Sequence, residues 1–410
     1  MSHFSLRARW VLPIERPPIE GGVVSIADGQ ISAVGDQPAG EGPLQDLGEV
    51  VLMPGLVNTH THLEFSQHKN PLGHAGMPLP EWISLVIASR RHAKQNANTA
   101  ISTGLQESVT HGVTTVGDIA TTASRLVPEP RPNIISFQEA IGFSAARIES
   151  VLADVKKRLQ NSRDSTKRQG ENAHPAIQGL SPHAPYTVHP QLLERLVDLA
   201  CQQQMPVAMH LAESPEELEL LASASGPFRE LLVERSMWDE QAIPLGTKPI
   251  DYLKVLSRAP RSLAIHGNYF STADIDFLAT QRERMAVVYC PRTHAYFQHS
   301  DYPLQQLFAA GVRVALGTDS RASNPNLCLL DEMRFVASRY PDISPTQILT
   351  MGTVAGAKAL GLLEKIGSIS VGKRADLMAI DCGADDDDPE AAILHSKRAP
   401  AKTWIQGQLQ

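Results

Sequence analysis

The chain has 410 residues, 42% of them hydrophobic and 20% charged, with a formal net charge of -7. That length accommodates one large α/β barrel with additions, or two to three ordinary domains. With no long basic run there is no electrostatic footprint for nucleic acid or an anionic membrane, so small-molecule chemistry in a soluble protein is the expectation.

Near the N-terminus the apolar piece "WVLPI" is too short for the core of a signal peptide, and Glu15 follows it at once. No run approaches the roughly 18 apolar residues of a membrane span. Cys201, Cys290, Cys328 and Cys382 are scattered without a C-x-x-C pair, which argues against a disulfide framework or a structural zinc knuckle and for a reduced, cytoplasmic setting.

Residues 4–52 read as short β segments, "FSLRARWVL", "GVVSIADGQISAVG" and "LGEVVLMP", with Asp28-Gly29 as a hairpin turn between alternating apolar positions. The C-terminal "GSISVGKRADLMAID" and "AKTWIQGQLQ" are strand-like again, separated by an acidic stretch whose Asp385 to Asp388 read as a solvated loop. Residues 1–53 and 365–410 are therefore expected to pair into one composite β-sandwich.

Between them, residues 54–364 alternate apolar runs with amphipathic stretches such as "RIESVLADVKKRLQ", the pattern of βα units and a parallel sheet. The runs number eight: "GLVNTH", "VTTVGDI", "NIISFQEA", "AIQGLS", "PVAMHLAE", "LAIHGN", "AVVYC" and "VRVALGTDS". The expected fold is thus α/β, a (β/α)8 TIM barrel with an active site at the C-terminal ends of its strands.

The chemistry-bearing residues fall where that architecture asks for them. His60 and His62 end the first run on one face, His183 follows the fourth, and His210, His266 and Asp319 end the fifth, sixth and eighth. Five runs ending in His or Asp at one rim are hard to explain by core packing, and they suit a catalytic metal with few N and O ligands and an open position.

In "PGLVNTHTHLEFS", "SPHAPYTVHP", "HLAES", "AIHGNY", "GTDS" and "GSISVGKRADLMAID" the chain resembles the amidohydrolase superfamily, in its branch of mononuclear deaminases and chlorohydrolases. The resemblance covers nearly the whole chain and implies the barrel with its split sandwich. It also implies His60, His62, His210 and Asp319 as metal ligands, Glu213 as proton shuttle, and His266 as the group orienting water and substrate. One zinc ion is the cofactor so implied, with iron or manganese also compatible. Neither "NIISFQEA" nor "AIQGLS" holds the lysine that binuclear relatives carbamylate, which favours a single metal.

Each role has a plainer competitor. Glu213 also suits an acidic helix start, and His266 suits a rim histidine bonding backbone. His183 is read as a substrate contact, or as part of a loop braced by Pro182 and Pro185. Glu64 shares a face with His62 if the strand continues, and could accept hydrogen bonds from substrate. Glu139 is a rim candidate, or a buried acid bonding a neighbouring strand. Arg292, His294 and His299 are placed at the same rim, where Arg292 could hold an anion or salt-bridge a neighbour. Residues 227–252, too long for an ordinary loop, are expected to form a lid or a wall.

The resulting expectation is a hydrolytic deaminase of an aminated N-heterocycle, preferably an adenine-type nucleoside: S-adenosylhomocysteine, methylthioadenosine, adenosine or aminodeoxyfutalosine. The alternatives are a triazine-type chlorohydrolase or amine hydrolase, and a catalytically silent barrel scaffold. Barrels of this kind often pair, so a homodimer is compatible with the chain.

Overall fold

A parallel strand covered on both faces needs apolar residues at consecutive positions, and this requirement explains the eight runs. The computed structural model of the chain describes residues 3–93, 97–121, 132–168, 177–383 and 387–410. In it the runs become eight strands: β1 (Leu56–Thr61), β2 (Val113–Ala120), β3 (Asn133–Ala140), β4 (Ile177–Pro182), β5 (Val207–Leu211), β6 (Ser262–His266), β7 (Met285–Tyr289) and β8 (Val314–Leu316). They form one sheet in sequence order with parallel neighbours throughout. The ring closes between the last strand and the first, where Thr59 Oγ1 donates to the Leu316 carbonyl and a parallel bridge joins Thr61 to Asp319.

The terminal segments build two further sheets. One runs, edge to edge, through residues 30–35, 23–27, 3–7 and 44–46; the other through 408–409, 400–405, 377–381, 50–54, 10–11 and 19–20. Leu6, Val24 and Ile31 from the first pack with Leu52, Leu377 and Trp404 from the second in one buried cluster. Ala27 pairs with Gln30 across Asp28 (φ 48°) and Gly29 (φ 77°), the doubly left-handed turn that an Asp-Gly hairpin favours. Of "GSISVGKRADLMAID" only Leu377–Asp381 is strand; the glycines before it, Gly367 and Gly372, have positive φ and bend the chain. In the acidic stretch Asp385 and Asp386 lie outside the described residues, while Asp388 caps the helix Pro389–His395 by accepting from the backbone N–H groups of Glu390 and Ala391.

Among the described residues no helix is long and apolar enough to cross a membrane. The barrel wall leaves no space at Gly117 in β2, where an added Cβ would stand 2.4 Å from the Thr59 carbonyl oxygen of β1. Gly117→Ala must push the two strands apart next to His60. It is expected to lower stability by about 3 kcal/mol, read as a lower urea midpoint at unchanged slope.

Candidate active site

His60 sits within β1, and His62 follows the strand end directly, both buried. Asp319, three residues past β8, faces them: its Oδ1 lies 3.4 Å from His60 Nε2 and 3.7 Å from His62 Nε2. His210 on β5 brings its Nε2 to 3.3 Å from that of His62, and His266 closes β6 with its ring 5.5 Å from that of His210. The nearest ligand atoms of His60, His210 and His266 lie within 4.8 Å of one another, as do those of His60, His62 and Asp319.

Burial is the main cause that holds His62, His210 and His266 well below the usual histidine pKa, so the rings are neutral. The His183 carbonyl accepts from His210 Nδ1 at 2.9 Å, which leaves the His210 Nε2 lone pair directed at the cluster. His60 Nδ1 and Nε2, His62 Nδ1 and His266 Nε2 are buried without a hydrogen-bond partner. Burial pushes the Asp319 carboxyl up, yet the imidazoles set around it, His60 at 3.4 Å first and then His62 and His266, hold it well below the usual carboxylate range. Unpartnered imidazole nitrogens around one carboxylate fit a borderline divalent cation better than they fit one another.

Three residues in the left-handed region shape this rim: Ala212 (φ 52°), His266 (φ 70°) and Asp319 (φ 54°). Such backbone persists only where its surroundings hold it. Glu217 accepts from the Ala212 and Glu213 N–H groups at 2.8 and 3.0 Å, Tyr302 donates its hydroxyl to the His266 carbonyl at 2.9 Å, and the Asp319 N–H donates to the His60 carbonyl. Ser323 donates to Asp319 Oδ2 at 2.7 Å, and Asn268 donates to the Glu213 carbonyl. Sequence reasoning missed Glu217, Tyr302, Ser323 and Asn268, whose partners lie up to 55 residues away or depend on the turn each loop adopts.

Glu213 is buried, its Oε1 3.4 Å from His266 Nε2 and its Oε2 accepting from the Tyr186 hydroxyl at 3.3 Å. Burial, then the charges of Asp319 and Glu217, raise its pKa well above the usual value, so it holds a proton more tightly than an ordinary carboxylate does. Burial also lifts Glu217 to about 7, against the pull of its two backbone bonds. A carboxyl raised in the folded state binds its proton there after the unfolded chain has released it, so stability falls as pH rises from about 4.5 to 7. Metal-free protein should lose about 3 kcal/mol across that window through this group. Glu217→Gln should flatten that part of the profile and be less stable at every pH, since its amide NH2 must face a backbone N–H. Denaturant unfolding from pH 4.5 to 8 checks both.

A cavity of about 270 Å3 opens above the cluster, lined at its base by His62, His183, His210, Glu213, His266 and Asp319. Its walls come from two helices, α1 (Leu79–Ala93) and α2 (Pro227–Glu234). The wall expected from residues 227–252 is present in Phe228, Leu231, Leu232, Arg235 and Met237. The α1 wall was missed, although Leu79, Trp82, Ile83, Val86 and Arg90 fall at helical spacing and mark one face.

Of the remaining candidates, His183 lines the cavity with Nδ1 bonded to Thr187, and burial lowers its pKa to about 3. Glu64 requires a correction: β1 ends at Thr61 and Leu63–Phe65 turns into a 3-10 helix, so no strand face carries Glu64 beside His62. Its carboxylate instead holds Arg90 at 2.6 Å and accepts from Thr121. Glu139 stands behind the wall, 3.7 Å from Arg90 and 3.9 Å from His183. Arg292 is also corrected: it does not line the cavity, and its guanidinium bonds Glu332 at 2.6 Å and Asn326 Oδ1 at 2.6 Å. His294 and His299 likewise lie off the cavity, packed with Tyr289, Tyr302 and Tyr269.

Residues 51–409 match the model of the amidohydrolase family. Among curated proteins, a 5-methylthioadenosine/S-adenosylhomocysteine deaminase of Moorella thermoacetica is 29% identical, covering 95% of this chain and 89% of the relative. An aminodeoxyfutalosine deaminase of Deinococcus radiodurans is 28% identical over 83% of this chain and 81% of its own. Helicobacter pylori aminofutalosine deaminase, solved with methylthio-coformycin, shares the fold with a TM-score of 0.85 over 99% of both chains at 24% identity.

Proposed function

The chain belongs to the amidohydrolase family, and from that membership we propose that it is a hydrolase of C–N bonds in cyclic amidines that deaminates an adenine-type nucleoside and releases ammonia. The deaminase relatives at 28–29% identity support the reaction class. The observation that carries the reading is Glu213, a buried carboxyl 3.4 Å from His266, sharing a cavity base with His62, His210 and Asp319, against the last of which His60 packs.

In this proposal His60, His62, His210 and Asp319 hold one zinc ion, with iron or manganese accepted by the same donors. Bound there, the metal lowers the pKa of water towards neutrality and acts as a Lewis acid. Glu213 takes the proton from the attacking water and passes it to the ring nitrogen beside the amino-bearing carbon. The water oxygen bonds to that carbon, Glu213 takes the second proton from the hydroxyl so attached and gives it to the amine, and the C–N bond breaks, so ammonia leaves and a ring carbonyl remains. His266 and Asp319 orient the attacking oxygen, and His183 faces the base or sugar from the cavity wall. Glu64 and Glu139 enter as the carboxylates that hold Arg90 in that wall. The barrel, over residues 54–364, carries every one of these groups. Among the described residues the four cysteines, three of them buried, form no disulfide, which supports a cytoplasmic setting.

Ammonia release by zinc-loaded protein from adenosine, methylthioadenosine, S-adenosylhomocysteine, aminodeoxyfutalosine, guanine and cytosine tests the reading, with chloride release from a chlorotriazine alongside. Turnover of an adenine nucleoside is expected. Silence on every amine with chloride release instead would reassign the leaving group.

A further inference from the structure

A glutamate side chain ends on a torsion with broad preferences, so burial alone does not fix the plane in which its two oxygens lie. At Glu213 that plane is set from outside. Among the described residues the Tyr186 hydroxyl alone donates to the carboxyl, reaching Oε2 at 3.3 Å, while Oε1 lies 3.4 Å from His266 Nε2. Tyr186 is itself buried and closely held. Its ring stacks on Phe228 of α2 with centroids 4.0 Å and planes 12° apart, and the His183 ring meets it edge-on at 5.8 Å. The loop that carries it is tied down on both sides, where the His183 N–H donates to the Ala140 carbonyl and the His189 N–H to the Gly142 carbonyl. A rigid ring with two side-chain torsions, so held, brings its hydroxyl to one fixed point. Phe228, with Leu231 and Leu232, also lines the cavity, so the wall that meets a bound substrate backs the ring that holds Glu213.

We propose that Tyr186 is the positioning residue of the proton shuttle: its hydroxyl occupies Oε2 of Glu213, fixes the carboxyl plane, and leaves Oε1 as the oxygen that takes and returns protons. The inference rests on the deaminase reading above. Oε1 takes the two protons of the attacking water in turn, the first bound for the ring nitrogen and the second for the amine, and Tyr186 keeps its own proton throughout. The division of labour between the oxygens follows from their neighbours. A tyrosine hydroxyl carries one hydrogen, and here it is spent on Oε2. Oε1 stands instead beside a His266 nitrogen that is buried without a hydrogen-bond partner, in a ring 5.5 Å from that of His210. Passing two protons through one oxygen tolerates little misplacement, since an error of about 1 Å can cost on the order of a hundredfold in rate.

The test is a double-mutant cycle in zinc-loaded protein, with every rate normalised to bound zinc. Tyr186→Phe keeps the stack on Phe228 and loses only the hydroxyl. It is expected to lower kcat for ammonia release by about 20-fold, with KM within about twofold of wild type. In Glu213→Gln protein the same substitution should change the residual rate by less than about twofold, because a residue that acts through Glu213 then has no shuttle to position. Phe228→Leu keeps the hydroxyl and removes the stack, and should lower kcat by about fivefold in wild type and no further in Tyr186→Phe, whatever it does to KM. The infrared difference between wild type and Glu213→Gln reads the carboxyl without turnover, and its band should shift in Tyr186→Phe as the hydrogen bond is lost. Equal fold losses in the two Glu213 backgrounds, a loss in KM alone, a Tyr186→Phe kcat within about twofold of wild type, or an unmoved band in active enzyme overturns the proposal. A wild type that turns over none of the amines while the Glu213 band still shifts leaves the Tyr186 contact standing and brings down the deaminase reading. No turnover together with an unmoved band brings down both.

Discussion

Zinc-loaded Glu213→Gln protein is expected to release ammonia between a thousand and ten thousand times more slowly than wild type, with its metal content unchanged. The substitution suits the question because of the state in which the structure holds this side chain. Burial and the charges of Asp319 and Glu217 hold the Glu213 carboxyl well above its usual pKa, and a glutamine amide is close to the protonated carboxyl in shape and charge. The amide oxygen can still accept from the Tyr186 hydroxyl, so the pocket keeps its hydrogen bond and loses only the group able to take and return a proton. The melting temperature should therefore stay close to that of wild type, unlike that of Glu217→Gln, where the carboxylate replaced accepts from the backbone N–H groups of Ala212 and Glu213. Ammonia release above a tenth of the wild-type rate would remove Glu213 from the proton pathway.

The barrel was legible because parallel strands leave a strong mark: each is buried on both faces and reads as an unbroken apolar run. His60, His62, His210, His266 and Asp319 were legible for a related reason, since the architecture states in advance that functional side chains sit at strand ends. Glu64 was misjudged by extending the two-residue period of β1 beyond Thr61, where the chain turns into a 3-10 helix that no apolar alternation announces. Arg292 was misjudged for want of its partner: Glu332, 40 residues on, becomes its neighbour only when the helix Leu329–Arg339 packs back. Arg90 could have been found, because it continues the helical spacing of Trp82, Ile83 and Val86. Glu217 shows how far local reasoning reaches. An acid in the first turn of Pro215–Ser223 suits the helix dipole, but this one turns inward to hold the left-handed Ala212.

Removing the metal by chelation is expected to lower ammonia release more than a thousandfold and the melting temperature by several degrees, with zinc restoring both. The stability term follows from mass action: a cation a thousandfold above its dissociation constant adds about 4 kcal/mol to the folded state if the unfolded chain does not bind it. The structure indicates why the stripped site is the weaker one. Without a cation, the buried nitrogens of His60, His62 and His266 have no hydrogen-bond partner, and the Asp319 carboxylate keeps only Ser323 as a donor at normal distance. Asp319→Ala provides the control that separates a metal site from a hydrogen-bonded cluster of histidines. It removes the one anionic donor and the contact on which His60 and His62 converge, so added zinc should neither raise its melting temperature nor restore activity. If chelation leaves the wild-type melting temperature unmoved and Asp319→Ala melts like wild type with and without zinc, the five side chains are a polar core. The metal assignment would then fall, and with it the activation of water on which the proposed deamination depends.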